Sequence, residues 1–121
     1  MFINISNHPI ALWADKQLTA ASVYGEVIDI TFPAVSPQFS STDLTLIADR
    51  VVNAVLSQSE GTDKTVLHIM GEMTLTFMLV SRLSKLGFRC VASTTARTSA
   101  IYDDGTKVSK FEFVRFRDYS V

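Results

Sequence analysis

Three short stretches, Ser6-Asn7-His8-Pro9, Met70-Gly71-Glu72-Met73-Thr74 and Ser93-Thr94-Thr95-Ala96-Arg97, each put polar groups directly after an apolar run. Between them they offer hydroxyls, an amide at Asn7, an imidazole at His8, a carboxylate at Glu72, a guanidinium at Arg97 and bare backbone at Gly71. An imidazole whose ordinary pKa lies near neutrality can move a proton. Hydroxyls and amides orient a polar ligand, and a guanidinium pairs with phosphate. Simpler uses exist for each. Asn7 and His8 before Pro9 suit a turn and a helix cap. Glu72 near a helix start complements the helix dipole. Ser93, Thr94 and Thr95 suit an ordinary polar loop, and Arg97 a surface ion pair worth about 0–1 kcal/mol. His68, inside "VLHIM", reads as a satisfied core or helix-facing histidine rather than a ligand.

The elements around these stretches decide whether they can meet. "FINIS" is short and β-branched and reads as a first strand. "ALWADKQLTAASV" is rich in helix formers and stops before Gly25. "EVIDITF" is a second strand closed by Pro33, and "PAVSPQFSS" a long loop. Leu44, Ile47, Val51 and Val55 then follow a helical period, with Ser40 or Ser41 as the cap. "GTDKTVLHIM" supplies a turn and a third strand, and a third helix runs from about Glu72 to Leu86 before Gly87. "FRCVAS" is a fourth strand. Asp103-Asp104-Gly105 between "TSAIY" and "KVSKFEFVRF" predicts a C-terminal hairpin.

Strand–helix units in series imply one domain over residues 1–121, of α/β class. The expected architecture is a Rossmann-like three-layer sandwich, its sheet mostly parallel and extended by the hairpin. The economical order places strand 1 centrally, strand 2 on one side, and strands 3 and 4 on the other. Ligands of such sheets bind outside the carboxyl ends of the strands, where the chain reverses direction. All three polar stretches map to that edge, and a helix starting near Glu72 would aim free amides there, favouring an anion.

Composition removes other classes. Eleven Lys and Arg against twelve Asp and Glu leave a formal net charge of −1, which argues against a broad grip on duplex nucleic acid. One cysteine, Cys90, excludes an internal disulfide and suits a reduced, cytoplasmic setting. The start "MFINIS" has no signal-peptide pattern, and no apolar run reaches the roughly 20 residues of a membrane span. Glycine-rich phosphate loops, zinc-ligand spacings and a nucleophile elbow are absent from the sequence, so neither a metal nor a cofactor is expected. The third helix, "MTLTFMLVSRL", is apolar nearly all round. That surplus implies burial against a second copy through Met73, Phe77 or Val80.

A short α/β chain that opens with a strand and then Ser6-Asn7-His8-Pro9, supported by Gly71, Glu72 and Thr74, resembles the small CRISPR-associated ring nucleases. These CARF-like proteins bind and cleave cyclic oligoadenylates made by type III CRISPR systems. The resemblance implies a CARF-like fold, a homodimer and a cyclic oligoadenylate ligand, with cyclic tetra-adenylate the first candidate. It also implies metal-independent ring opening by a ribose 2′-hydroxyl, with the effect of switching off antiviral signalling. On that reading His8 serves as general base or orients the 2′-hydroxyl, and Arg97 offsets phosphate charge. Amides near Gly71 hold a second oxygen, and Glu72 anchors a ribose or adenine. Ser6, Asn7, Thr74, Ser93, Thr94 and Thr95 complete the contacts. Two other readings stand beside it. One is a sensor or sponge that binds a cyclic nucleotide uncut. The other is a flavodoxin-like domain for a different metabolite.

Overall fold

A computed structural model describes residues 1–121. The strands are β1 (Phe2–Ser6), β2 (Val27–Asp29), β3 (Val66–Met70), β4 (Arg89–Ile101) and β5 (Lys107–Asp118). The helices are α1 (Asp15–Ser22), α2 (Ser41–Gln58) and α3 (Met73–Lys85). The sheet runs β2-β1-β3-β4-β5, parallel except for the antiparallel β4–β5 pair. This is the α/β sandwich with a mostly parallel sheet and a C-terminal hairpin that the order of elements predicts. No helix is long and apolar enough to cross a membrane.

Strand alternation sends the two sets of side chains to opposite layers. Ile3, Ile5, Leu67, Ile69 and Cys90 pack with Leu44, Val51, Val55, Leu75, Leu79 and Leu83 of α2 and α3 in the larger core. Each such fully buried aliphatic side chain contributes roughly 1.5–3 kcal/mol of hydrophobic stabilisation. Phe2, Val66 and Val91 face the other way, onto Trp13 and Ala21. The α1 layer is thin because α1 has only eight residues. Its Ala21 packs with Phe2, Val66 and Val91, and its first turn, with Lys16 and Gln17, borders an open space at the strands' carboxyl ends.

Several local expectations hold and several change. Ser40 caps α2 through a reciprocal capping box with Asp43, and the Asp-Gly turn closes the hairpin, Tyr102 N donating to Thr106 O at 2.8 Å. Residues 10–12 form a 3-10 turn, so α1 begins at Asp15 rather than Ala11. Pairing of β2 with β1 ends at Asp29, shorter than "EVIDITF" suggests. The largest difference concerns "STTAR", expected as a loop. It lies within β4, whose thirteen residues continue unbroken into the hairpin, with one register shift at Thr94/Thr95. Beyond Val91 the strand has no β3 partner; β5 supplies its hydrogen bonds instead, which satisfies the backbone without a loop. Val80, expected at a dimer interface, is buried in the core of its own chain, whereas Met73 and Phe77 are exposed.

Candidate functional site

A cleft of about 840 Å³ opens at the carboxyl edge of the sheet on the α1 side. Its walls include Ser6 at the end of β1 with Asn7 and His8 after it, Met70 at the end of β3 with Gly71 after it, and Ser93 and Thr95 of β4. Lys16 and Gln17 of α1 close one side, and Phe111, Glu112 and Phe113 of β5 the other. Six of the residues expected at the site, Ser6, Asn7, His8, Gly71, Ser93 and Thr95, therefore meet around one space.

The other four lie outside it. Glu72 is the N-cap of α3, and its carboxylate accepts from Thr74 N at 3.0 Å and Leu75 N at 2.8 Å. The Thr74 hydroxyl donates to the same carboxylate at 2.7 Å. These bonds hold Glu72 below the usual carboxylate range. They also occupy the helix amides that the sequence reading assigns to an anion, and they turn Glu72 and Thr74 toward each other rather than toward a nucleoside. The Thr94 hydroxyl donates to Arg115 O at 3.0 Å at the strand irregularity. Arg97 reaches Ser109 Oγ at 3.2 Å and lies over the Phe111 ring, two residues beyond Thr95 on the ribbon.

Gly71 has a reason of its own. A Cβ there would stand 2.4 Å from Phe32 Cζ, so the missing side chain makes room for a buried ring in the preceding loop. The expected close approach of a ligand is not what this position requires.

The floor of the cleft is a hydrogen-bond network that runs across three strands. Asn4, His68 and Val91 are register partners, so Asn4 and His68 are neighbours on one face and Ser93 follows two residues on. Asn4 Nδ2 donates to Asp29 Oδ1 at 2.8 Å and to His8 O at 2.9 Å. Its Oδ1 accepts from Ser6 Oγ at 2.8 Å and lies 2.8 Å from His68 Nδ1. His68 Nε2 lies 2.6 Å from Ser93 Oγ. Trp13 Nε1 also donates to His8 O at 2.9 Å, so the turn after β1 is tied down by its carbonyl while the His8 imidazole stays exposed. Around His68 stand the rings of Phe2, Trp13 and Phe116, at 6.1, 5.6 and 5.5 Å. Burial among them pushes the His68 pKa down to about 4, with His8 adding to the shift, so the imidazole is neutral near pH 7.

The chain belongs to the uncharacterized protein MJ1673 family. The family model matches residues 1–117, which takes in every wall of the cleft. No curated protein and no solved structure matches the chain.

Asn4, Lys16, Gln17, Phe111 and Phe113 were not expected at the site. Asn4 carries a readable signal, a lone amide in the middle of the apolar run "FINIS". A polar residue buried in a central strand needs partners. His68 meets the expectation of a satisfied core histidine, and through Ser93 it also reaches the cleft. Gln17 is 8% exposed and is among the residues that line the cleft. No group of three or more His, Cys, Asp or Glu side chains converges anywhere in the structure.

Proposed function

We propose that the cleft binds a cyclic oligoadenylate, cyclic tetra-adenylate first among them, and opens it by metal-independent attack of a ribose 2′-hydroxyl on the adjacent phosphate. The observation that carries this reading is the composition of one cleft at the strand ends. Ser6, Ser93 and Thr95, the histidines His8 and His68, one cationic residue, Lys16, one acidic residue, Glu112, and the aromatic residues Phe111 and Phe113 line it. Phe111, 69% exposed, offers a stacking platform for adenine, a contact every base can make. Lys16, rather than Arg97, is the cation placed to offset phosphate charge. Ring opening of this kind needs an in-line geometry and proton transfers at the attacking and departing oxygens. His8 stands at the mouth of the cleft as an exposed proton-transfer group. In the ring-nuclease resemblance two copies face each other. Exposed Met73 and Phe77, beside the corner after β3, are the surface through which we propose the pair forms.

The test is incubation of the purified protein with cyclic oligoadenylates of several ring sizes, with and without EDTA, and mass spectrometry of the products. Linear products ending in a 2′,3′-cyclic phosphate, formed equally with EDTA, are expected. A ring bound but recovered intact would make the protein a sensor or sponge. Failure to bind any ring would end this reading and favour a different metabolite. Light scattering at micromolar concentration should report a dimer, and charge placed at Phe77 should dissociate it.

A further inference from the structure

The network under the cleft has a direction, and the direction is fixed at its inner end. Asn4 Nδ2 faces a carboxylate and a carbonyl, both acceptors, so the amide cannot be turned round. Its Oδ1 therefore points at His68 Nδ1, and that nitrogen must carry the proton. In a neutral imidazole the other nitrogen is then bare. Nε2 accepts the Ser93 hydroxyl at 2.6 Å, and the single proton of Ser93 is committed inward. The Met70 thioether, at 3.3 Å from Ser93 Oγ, is the other acceptor within reach of that proton, and a weak sulfur acceptor loses it to an imidazole nitrogen at 2.6 Å. Ser93 Oγ thus presents unpaired acceptor capacity to the cleft, at the end of a chain of aligned donors running to the Asp29 carboxylate. Alignment of this kind strengthens the terminal acceptor.

We propose that Ser93 Oγ accepts the attacking hydroxyl of the bound ligand and relays its proton to His68, with Asn4 as the positioning residue that holds His68 in the required tautomer. For its substrate this rests on the function proposed above; its direction comes from the hydrogen bonds alone. As the ribose 2′-oxygen bonds to phosphorus, its proton passes to Ser93 Oγ and the Ser93 proton passes to His68 Nε2. The bond from phosphorus to the 5′-oxygen breaks, and the His8 imidazole supplies the proton that the leaving oxygen takes. The products are a 2′,3′-cyclic phosphate and a 5′-hydroxyl. His68 then returns its proton through Ser93 to water, and His8 takes one back from water. The two imidazoles divide the work, the buried one receiving and the exposed one delivering. The same geometry makes Ser93 a selector for ligands with a donor at that position, so a ribose should be preferred over a 2′-deoxyribose.

Single-turnover opening of cyclic tetra-adenylate by wild-type, Ser93→Ala and Ser93→Thr proteins tests the relay, with ligand affinity measured alongside. Ser93→Ala should slow opening by about 10²–10⁴-fold, the range for a lost proton-transfer group, while affinity falls by less than about tenfold, the loss of one hydrogen bond. Ser93→Thr, which keeps the hydroxyl, should recover much of the rate. Nitrogen-15 spectra of the free protein should show His68 protonated at Nδ1 and bare at Nε2. An Nε2-protonated His68, or a Ser93→Ala protein that cuts at the wild-type rate, overturns the relay and leaves the proposed function standing. A wild-type protein that binds no ring, or leaves it intact, overturns both.

Discussion

At the carboxyl edge of the sheet, the corner after β3 and the floor formed by Asn4, His68 and Ser93 carry similar residue types: a side-chain acceptor, a hydroxyl and nearby backbone amides. They use them differently. At the corner, the Glu72 carboxylate, the Thr74 hydroxyl and the first amides of α3 satisfy one another, and the missing side chain of Gly71 is filled by Phe32. That corner is closed on itself. In the floor, Ser93, His68 and Asn4 donate one to the next in a single direction toward Asp29, and the last acceptor, Ser93 Oγ, opens into the cleft. Polarity alone does not make a ligand site. Hydrogen-bonding capacity left unused at a concave surface does.

Asn4 is where the contrast can be broken most severely. Asn4→Ala leaves the buried His68 Nδ1–H without its acceptor, and one orphaned buried donor costs about 1–3 kcal/mol. With Asp29 and the His8 carbonyl each losing a donor as well, a loss near the upper end, about 3 kcal/mol, is expected in denaturant titration. A loss under about 0.5 kcal/mol, the level of surface substitutions, would mean that water repairs the floor and that its direction is not built in.

Acid should act on the floor almost as strongly. The His68 pKa lies at about 4 in the folded chain against 6.5 ordinarily, so the unfolded chain binds the extra proton. Stability is complete above pH 6.5 and falls as pH drops through the window down to about 4. A shift of this size corresponds to about 3 kcal/mol across that window. Glu72, whose pKa is lowered from 4.5, adds its loss only beneath that value. Unfolding free energies measured between pH 7 and 4.5 therefore report the floor before the corner. A flat profile there would show that His68 is not held neutral by burial.

The corner should respond to size. Gly71→Ala should cost about 2 kcal/mol, within the range for overpacking, because the new methyl meets the Phe32 ring. Phe32→Leu in the same chain should recover part of that loss in a double-mutant cycle. Strict additivity would place the clash elsewhere. Glu72→Ala should cost about 1 kcal/mol as a lost cap and leave ligand affinity unchanged; a large drop in affinity would return Glu72 to the site.

Smallest of all is Arg97→Ala. Its hydrogen bond to Ser109 and its place over Phe111 are exposed, so less than about 0.5 kcal/mol is expected. Ligand affinity should fall less than on Lys16→Ala, since Lys16 lines the cleft. The reverse order, read by isothermal titration, would move the phosphate contact out onto the ribbon.

Much of the framework was legible because it is written in local chemistry. The period-2 and helical apolar patterns, the cap at Ser40 and the Asp-Gly turn act over a few residues, and the connection rules convert their order into strand order. Ser6, Asn7 and His8 were found through that order. "STTAR" has the polar, small residues of a loop, while its pairing with Arg115, Phe113, Glu112 and Phe111 depends on a strand about twenty residues further on. Asn4 was passed over because its meaning lies in His68, 64 residues away.

By itself, then, the sequence determined the alternation of strands and helices, the parallel sheet with its hairpin, and the edge where polar groups gather. Short-range propensity and periodicity are enough for those. Only the tertiary structure decided which of the gathered groups face a cleft and which face each other. That choice depends on register between distant strands, on a short α1 that leaves one face uncovered, and on Glu72 reaching its own helix before any ligand can.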